Sequence, residues 1–479
     1  MLVPVPGATT SGRWCGRCVT TVRRLASRHL LCHGGTALAG RVPAGGRRPG
    51  VAAVACPIPV CSGCAAPLGA GAGSQPAPGR PRRPGLCVPR CDRRRPSVAA
   101  AHLRRRTSGK WHTHPPEVLP LTVGEMDVQL APPVRDALIQ AVEAGDTGFA
   151  GPQSTARYAR AFRRLAQHRW GWDGAREADC HAVPDIMRGL VGLVEVLTRQ
   201  GDAVVVNTPA YPDYFGALEE RGGRIVEAPL SAAQRLDPDT LDTAFQAAAH
   251  SSSQALYLLC SPHNPTGTVH RRDELEHVAA LARRYGVRVI ADEAHALITW
   301  GGARFTPYLS VSGSPTALAL QSPAKAFNLG GLNGALAIAG EEATDVLARL
   351  SAVMPHGRSH LAGIAHCAAM AEGEPWLDAL LAGLEENRRL LQHLLHTDLP
   401  AVKYAPPDGT IYAWIDCRPL QWQDDPAELF LTHGRVAVIS GRPYRTGGDG
   451  HVRLNMATTP ELLAEAVRRM AHTARRCPG

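Results

Sequence analysis

Residues 316–331 read TALALQSPAKAFNLGG, an apolar run followed by a lysine, Lys325, and a pair of glycines. A lysine at the exit of a buried strand, just before a glycine-rich turn, is poorly placed for an ordinary surface charge. Burial lowers the pKa of an amine and makes it a nucleophile or a base. The pattern alone is also compatible with a structural lysine, so other segments decide its meaning.

Three further segments each follow a strand-like apolar run. They are ADEAH (residues 291–295), SPHNPTG (residues 261–267) and NTPAYP (residues 207–212). An acid such as Asp292 at the carboxyl end of a parallel strand points into the crevice where α/β sheets bind ligands. The alternatives are a helix N-cap for Asp292, a connecting turn for SPHNPTG and a core aromatic for Tyr211.

In this order and at these separations, the segments resemble the fold-type I pyridoxal-phosphate (PLP) enzymes, the aspartate aminotransferase superfamily. The resemblance covers about residues 106–479. Within that superfamily, LTVGEMD (residues 121–127), RWGW (169–172) and HVRLNMA (451–457) are similar to the cystathionine β-lyase-like branch of carbon–sulfur lyases. The resemblance implies an α/β fold of the PLP-transferase type, in which a large domain with a mostly parallel sheet carries a smaller α+β domain.

The pattern of apolar runs predicts how the chain is divided. Continuous apolar strands alternate with amphipathic helices between residues 187 and 345, which indicates a parallel sheet covered on both faces. Long helices and fewer strands follow. We predict an extension over 1–105, a segment over 106–150 that packs with the small domain, a PLP-binding domain over 151–345 and a small domain over 346–479.

The net charge of +10 is unevenly distributed. Residues 1–105 contain 17 arginines, no lysine and one acid, Asp92, so they carry +16 and leave −6 for the rest of the chain. A mildly acidic main body argues against a nucleic-acid-binding surface there. No apolar stretch is long enough to span a membrane, so we expect no membrane partner.

The 13 cysteines are also uneven, since eight of them lie before residue 92. Cys15/Cys18 and Cys61/Cys64 have the CxxC spacing of zinc ligands. The Gly-, Pro- and Arg-rich composition of residues 1–105 instead favours disorder or an upstream extension from an early start site, with a zinc- or nucleic-acid-binding arm as the alternative. The scattered later cysteines are typical of a reducing cytoplasm, and we predict no metal ligand among the active-site residues.

The resemblance implies roles around the PLP ring. Lys325 binds the cofactor covalently and later removes the substrate's α-proton. Asp292 pairs with the ring nitrogen, Asn264 donates to the 3′-oxygen, Tyr211 stacks on the ring face, and His295 lies near that oxygen or the ring.

The resemblance also places the phosphate and the substrate. A phosphate is expected at a helix N-terminus, which here is the segment Val183, Pro184, Asp185 and Ile186, with the Ser322 hydroxyl as a further donor. Asp185 is an unfavourable neighbour for an anion. Arg453 is expected to bind the substrate's α-carboxylate, with a surface arginine as the alternative.

Three positions depart from the family pattern. Ala324 replaces a frequent serine just before the lysine, Thr122 replaces a common tryptophan, and Phe149 stands where relatives often carry a tyrosine that reaches the neighbouring subunit's cofactor. Substrate preference therefore does not transfer directly.

The resemblance implies a homodimer that acts on a small amino acid. The favoured reaction is β-elimination from cystathionine or another cysteine S-conjugate to pyruvate, ammonia and a thiol. The alternatives are an aminotransferase on the same scaffold and a regulatory protein that keeps the fold.

Overall fold

The structure, a computed structural model, describes residues 98–151, 153–354 and 359–477. The two CxxC pairs and the proposed zinc- or nucleic-acid-binding arm lie outside the described residues. The described part begins with Val98, and residues 100–103 of the predicted extension form a short helix whose Leu103 packs against Trp111. The predicted domain bounds otherwise remain predictions.

The described residues contain α-helices and β-strands in alternation. The helices are α1 (Ala100–Leu103), α2 (Gly109–His112), α3 (Pro132–Glu143), α4 (Ser154–Trp170), α5 (Ile186–Leu197), α6 (Pro212–Glu219), α7 (Pro238–His250), α8 (Arg272–Tyr285), α9 (Thr344–Val353), α10 (His360–Glu372), α11 (Glu374–Asp398), α12 (Pro426–Gly434) and α13 (Pro460–Arg476). The strands are β1 (Leu119–Pro120), β2 (Cys180–Val183), β3 (Ala203–Thr208), β4 (Arg224–Pro229), β5 (Leu256–Cys260), β6 (Arg288–Asp292), β7 (Leu318–Gln321), β8 (Ala335–Ala339), β9 (Lys403–Tyr404), β10 (Tyr412–Asp416), β11 (Val436–Ala437), β12 (Ile439–Ser440) and β13 (His451–Asn455).

Seven strands form the central sheet in the order β2-β8-β7-β6-β5-β3-β4. The neighbours from β7 to β4 are parallel, whereas β8 runs antiparallel to both β7 and β2. Side chains alternate between two cores, since Val204 and Val206 pack with α5, α6 and α9 while Ala203 and Val205 pack with α7 and α8. The period of two places apolar residues on both faces of the sheet, which explains the continuous apolar runs in the sequence.

A second, antiparallel sheet of order β12-β13-β10-β9 lies in the C-terminal part. The segment before α3 joins this part, because β1 pairs with β11 and the Asn455 side chain donates to the Val123 and Glu125 carbonyls at 2.6 and 2.8 Å. Helix α3 packs on α10. These contacts attach the N-terminal segment to the C-terminal part of the chain.

The α/β fold with a mostly parallel sheet confirms the sequence-based prediction. The apolar run that starts at Thr316 becomes strand β7 only from Leu318, because the Ala317 amide donates to the Ser314 carbonyl at 3.0 Å in a turn. Strand β2 was not predicted, since four residues with a histidine among them give too short a periodic signal.

Within the described ranges, no helix is long and apolar enough to cross the lipid bilayer. The same ranges contain no group of three or more His, Cys, Asp or Glu side chains arranged to hold a metal ion.

Candidate active site

The carboxyl ends of β3, β5, β6 and β7 open on one cavity of about 500 Å³. Parallel neighbours end at the same edge of a sheet, so segments far apart in sequence contribute to one crevice. The lining side chains with polar or aromatic groups are Thr122, Asp185, Tyr211, Asp213, Tyr214, Cys260, Asn264, Asp292, His295, Ser322, Lys325, Asn333, Tyr412, Tyr444 and Arg453.

Lys325 lies in the turn after β7, and the following turn is fixed to the N-terminal segment. Asn328 adopts a left-handed conformation with φ of 57°. Its side chain accepts a hydrogen bond from the Met126 amide at 2.8 Å and donates to the Met126 carbonyl at 2.9 Å. Gly124 therefore passes so close to the lysine that a Cβ there would lie 2.9 Å from Nζ of Lys325 and closer still to the Tyr412 hydroxyl. Glycine leaves this space to the amine.

Asp292 ends β6 and is buried at the inner end of the cavity. One carboxylate oxygen accepts the Ala294 amide at 3.0 Å, and the other accepts the Tyr214 hydroxyl. Burial raises the pKa of the Asp292 carboxyl, while the two hydrogen bonds and the charge of Lys325 partly offset that rise.

Arg453 projects from β13 into the same cavity and is 5% exposed. It donates to the Asn264 side-chain oxygen at 3.1 Å and to the Thr122 carbonyl at 3.4 Å. Its Nε has no hydrogen-bond partner among the described residues. A buried guanidinium without a carboxylate partner has unused capacity for an anion.

His295 follows β6 and packs its ring edge-on against Tyr412, with the ring centres 5.7 Å apart. Burial, together with the charges of Lys325 and Arg453, lowers the pKa of His295 to about 3. The imidazole is therefore neutral at physiological pH, and its Nδ1 has no partner within the described part of the chain.

Tyr211 lies directly before α6 and lines the cavity with its ring. Its hydroxyl donates to Asp213 at 2.5 Å, and its ring meets that of Tyr214 edge-on at 5.5 Å between centres. Burial raises the pKa of Tyr211 above its ordinary value. Contacts with Asp213 and Tyr214, both in α6, therefore fix the Tyr211 side chain at the cavity wall.

The N-terminus of α5 borders the cavity through Asp185 and Ile186. The Asp185 side chain caps the helix by accepting the Arg188 amide at 2.7 Å. Ser322 lies across the cavity, where its hydroxyl donates to the Gly334 carbonyl at 2.7 Å and accepts the Ala324 amide at 3.2 Å.

The cavity brings together nine of the eleven side chains expected at the site. They are Lys325, Asp292, Asn264, Tyr211, His295, Ser322, Asp185, Ile186 and Arg453. Val183 and Pro184 are not part of its lining, because Val183 pairs with Ala335 inside the sheet and packs in the core. Thr122 lines the cavity, whereas Phe149 does not and is fully exposed.

Three cavity tyrosines were not predicted from the sequence: Tyr214, Tyr412 and Tyr444. Trp414 is opposite Arg453 in the β10–β13 pair, and Tyr412 lies two residues before it. Residues two apart on a strand share a face, so pairing β10 with the strand of Arg453 would have placed Tyr412 beside the arginine. Tyr214 lies one helical turn after Tyr211, which is a usable signal once a helix is assumed to start at Pro212.

The family model for class I and II aminotransferases matches residues 116–470, most of the chain. The chain belongs to the class I and II aminotransferase family. A Mycobacterium tuberculosis protein named "Putative cystathionine beta-lyase" is 48% identical over 389 residues, which cover 77% of this chain and 95% of that protein. The cystathionine beta-lyase PatB of Bacillus subtilis is 30% identical over 368 residues, covering 74% and 92% of the two chains.

Solved structures of the family share the fold. The crystal structure of a "putative plp-dependent beta-cystathionase" from Corynebacterium diphtheriae superposes with a TM-score of 0.74 at 31% identity, covering 80% of this chain and 99% of that one. Aspartate aminotransferase from Thermus thermophilus superposes with a TM-score of 0.66 at 25% identity, covering 74% and 91%.

Pyridoxal phosphate is the cofactor of this family, and the cavity fits it. An aldehyde requires an amine, a pyridine nitrogen requires a buried carboxylate, and a phosphate requires free amides or hydroxyls. Lys325, Asp292 and the α5 N-terminus with Ser322 offer these groups around one cavity. The unpaired Nδ1 of His295 and Nε of Arg453 are buried polar atoms that a bound polar molecule would satisfy.

Proposed function

We propose that this protein is a PLP-dependent carbon–sulfur lyase. It cleaves L-cystathionine or another cysteine S-conjugate by β-elimination and yields pyruvate, ammonia and a thiol. The observation that carries the proposal is the convergence of Lys325, Asp292 and Arg453 on one cavity. The branch of the family is supported by the relative at 48% identity that bears a cystathionine β-lyase name.

Lys325 is the residue that attaches the cofactor. Asp292 receives the ring nitrogen at the inner end of the cavity, and Tyr211 covers one ring face. Asn264 and His295 would face the 3′-oxygen of the cofactor, where the neutral imidazole of His295 could donate or accept a hydrogen bond without adding charge.

The first amides of α5, at Ile186 and the following residue, would hold the phosphate. The Ser322 hydroxyl would join them by exchanging its hydrogen bond to the Gly334 carbonyl for one to the phosphate. The Asp185 carboxylate turns back to cap Arg188. This hydrogen bond directs the Asp185 carboxylate toward the N-terminus of α5, whose dipole partly neutralises the negative charge of the carboxylate.

When bound, the cofactor supplies an electron sink for the negative charge that develops on the substrate's α-carbon. Arg453 binds the α-carboxylate and thereby orients the Cα–H bond toward Lys325. The Nζ of Lys325, once free of the cofactor, would take the α-proton.

The elimination balances without an external oxidant or reductant. The C–S bond breaks as the sulfur leaves with the bonding electron pair, and the proton held on Nζ of Lys325 can pass to that sulfur. The remaining three-carbon enamine takes up water and gives pyruvate and ammonia.

The test is incubation of the purified protein with PLP and L-cystathionine in the absence of any 2-oxo acid. Release of pyruvate and homocysteine in equal amounts over many turnovers supports the lyase. A single turnover that stops until a 2-oxo acid is added identifies an aminotransferase and overturns the proposal. Neither product at any enzyme concentration points to a regulatory protein and overturns it as well.

A homodimer is part of the same proposal. Phe149 is fully exposed, and Ile139 and Val142 of α3 expose 49% and 61% of their surface. Exposed apolar side chains of this size support a subunit interface in this part of the chain. Sedimentation of the holoenzyme at a monomer mass would contradict it.

A cytoplasmic location also belongs to the proposal. Cys180, Cys260 and Cys417 are thiols buried in the folded chain, which suits a reducing compartment. Fractionation of the producing cells, with the protein in the soluble reducing fraction, is the expected outcome.

A further inference from the structure

The Asp292 carboxylate is held by a tyrosine that the family resemblance does not assign. The Tyr214 hydroxyl donates to Oδ2 of Asp292, while Oδ1 accepts the Ala294 amide at 3.0 Å. Both side chains are buried, with Tyr214 2% exposed and Asp292 6% exposed. A hydroxyl this deep in the protein is usually satisfied by a backbone carbonyl or another neutral group. Here it is aimed at the one carboxylate at the inner end of the cavity.

Helix α6 couples this hydrogen bond to the cofactor site. Tyr211 caps the helix, Pro212 begins it, and the Tyr214 amide bonds back to the Tyr211 carbonyl at 3.1 Å. The two rings meet edge-on at 5.5 Å. One helical turn therefore presents both the ring that faces the cavity and the hydroxyl that holds Asp292.

We propose that Tyr214 is a positioning residue that keeps the Asp292 carboxylate ionised and directed at the ring nitrogen of the cofactor. The proposal rests on the cofactor binding described under the proposed function, and it holds for elimination and for transamination alike.

The hydrogen-bond capacity of the carboxylate supports this role. Each carboxylate oxygen accepts two hydrogen bonds. With the Ala294 amide on Oδ1 and the Tyr214 hydroxyl on Oδ2, one lone pair of Oδ2 remains for the N–H of a pyridinium ring. The two existing donors also fix the rotation of the carboxyl group.

The hydroxyl also decides where a shared proton resides. A hydrogen bond donated to a carboxylate makes it less basic, so the proton between Asp292 and the ring nitrogen stays on the nitrogen. A protonated ring is the stronger electron sink. Without Tyr214, the buried carboxylate would be more basic and would draw the proton toward itself.

The neighbouring titratable groups are compatible with this assignment. Burial raises the pKa of Tyr214 well above 10, so the phenol remains a donor. Burial also raises the pKa of the adjacent Cys260 thiol to about 12, which keeps it neutral. Lys325 adds the positive charge that favours the ionised carboxylate.

The experiment compares holoenzyme variants loaded with PLP labelled with ¹⁵N in the ring. In the unaltered protein the ¹⁵N chemical shift should report a protonated ring. In Tyr214→Phe the shift should move toward that of an unprotonated pyridine, and kcat should fall about tenfold with KM changed less than about twofold, since one charge-assisted hydrogen bond is lost while Arg453 is untouched. Asp292→Asn should show the unprotonated shift in full.

Two further variants separate the hydroxyl's effect from general loosening of the core. Tyr257→Phe removes another buried hydroxyl, one that donates to Asn207 outside the cavity lining, and should leave the ¹⁵N shift unchanged. Replacing Tyr214 with 3-fluorotyrosine keeps size and donor and should preserve the protonated shift. In the Asp292→Asn background, Tyr214→Phe should have no additional effect on kcat.

The inference is overturned by a protonated ring in Tyr214→Phe, by a 3-fluorotyrosine variant that behaves like the phenylalanine variant, or by a separate loss in the Asp292→Asn background. An unaltered protein that forms no lysine-bound cofactor overturns the proposed function and this inference with it. A protein that binds PLP and shows the predicted ¹⁵N shifts, but transaminates, overturns only the reaction and leaves the role of Tyr214 supported.

Discussion

The guanidinium carbon of Arg453 lies 4.0 Å from the centre of the Tyr412 ring. Strands β10 and β13 pair so that Trp414 is opposite Arg453, and Tyr412 is the diagonal neighbour on the same face. The ring therefore forms a platform under the guanidinium by a cation–π contact, and the Tyr444 ring approaches the same group at 5.6 Å. Arg453 is fixed by aromatic faces and by Asn264 before any substrate arrives.

We expect Tyr412→Leu to raise KM for the amino-acid substrate about tenfold, because a partly desolvated cation–π contact is worth about 1–2 kcal/mol. Tyr412→Phe keeps the ring and should leave KM within about twofold. Steady-state kinetics at saturating PLP provides the measurement. An equal rise in KM for both variants would show that the hydroxyl beside Lys325, and not the ring, is what matters.

Lys325 is one of only three lysines in the sequence, with Lys110 and Lys403. Lys110 is buried in an ion pair and Lys403 is exposed on β9. We therefore expect borohydride reduction of the holoenzyme to add the cofactor mass to the peptide that contains Lys325. Peptide mass spectrometry checks this directly, and label on either other lysine would contradict the site.

The matching substitution is Lys325→Ala, which should abolish the visible absorbance of bound PLP and lower kcat by about 10³-fold or more, since both the covalent link and the α-proton base are lost. Lys403→Ala is the control and should keep the absorbance and the rate. Retention of the visible band in Lys325→Ala would exclude the assigned role.

The sequence predicted those site residues that come directly after a strand. Lys325, Asp292 and Tyr211 each come after an apolar run, and all of them line the cavity. Parallel strands end on one edge, so local patterns were enough to place these residues together. Arg453 was predicted from its motif alone.

The residues that escaped prediction depend on contacts between distant segments. Gly124 lies close to Lys325 because the Asn328 side chain forms hydrogen bonds with Met126, which is 202 residues away in the sequence. Tyr412 lies in an apolar run that predicts only a strand, so the sequence around it gives no sign that its ring lines the cavity. Val183 and Pro184 were expected at the phosphate because the turn before α5 was known without its exact register, and the buried β2–β8 pairing directs Val183 into the core instead.

Lys110 and Asp127 form an ion pair with both side chains fully buried, at 2.8 Å. Asp127 also accepts a hydrogen bond from the Trp111 indole N–H at 2.8 Å. The two contacts hold the segment that contains Gly124 and Asp127 against helix α2. Lys110→Met should lower the free energy of unfolding by about 3–5 kcal/mol, because it leaves a buried carboxylate without its counter-charge.

Urea denaturation of the holoenzyme measures this loss. The double variant Lys110→Met with Asp127→Asn should recover part of the stability, since the uncompensated charge is then gone. Exchange of the exposed Lys403 for Met serves as the control. A single variant as stable as the parent would show that the pair does not hold the segment.

Three of the buried histidines, His263, His270 and His295, make the fold sensitive to acid. Burial lowers the pKa of His263 to about 3, of His270 to about 4 and of His295 to about 3. In the unfolded chain each titrates near 6.5. Below pH 6.5 the unfolded state therefore binds up to three protons that the folded state does not, and stability falls as the pH falls toward 4.

One buried acid acts in the opposite direction. Burial raises the pKa of Glu293 to about 8, so the folded state holds a proton there that the unfolded chain binds only near 4.5. Its contribution to stability is complete below pH 4.5 and is lost as the pH rises through 8. Between pH 4.5 and 6.5 the three histidines outweigh this one acid, so among these four groups the unfolded state binds more protons than the folded state and stability falls as the pH falls.

We expect the unfolding free energy of the holoenzyme to be greatest near pH 6.5–7 and to decline on both sides, more steeply toward acid. Urea denaturation between pH 5 and 8 measures the slope. His270→Asn should reduce the acid slope by about one proton, because one of the three suppressed titrations is removed, whereas substitution of the exposed His433 should leave it unchanged. If the unfolding free energy did not change between pH 5 and 6.5, water would have access to these imidazoles in the folded state, and the prediction would be wrong.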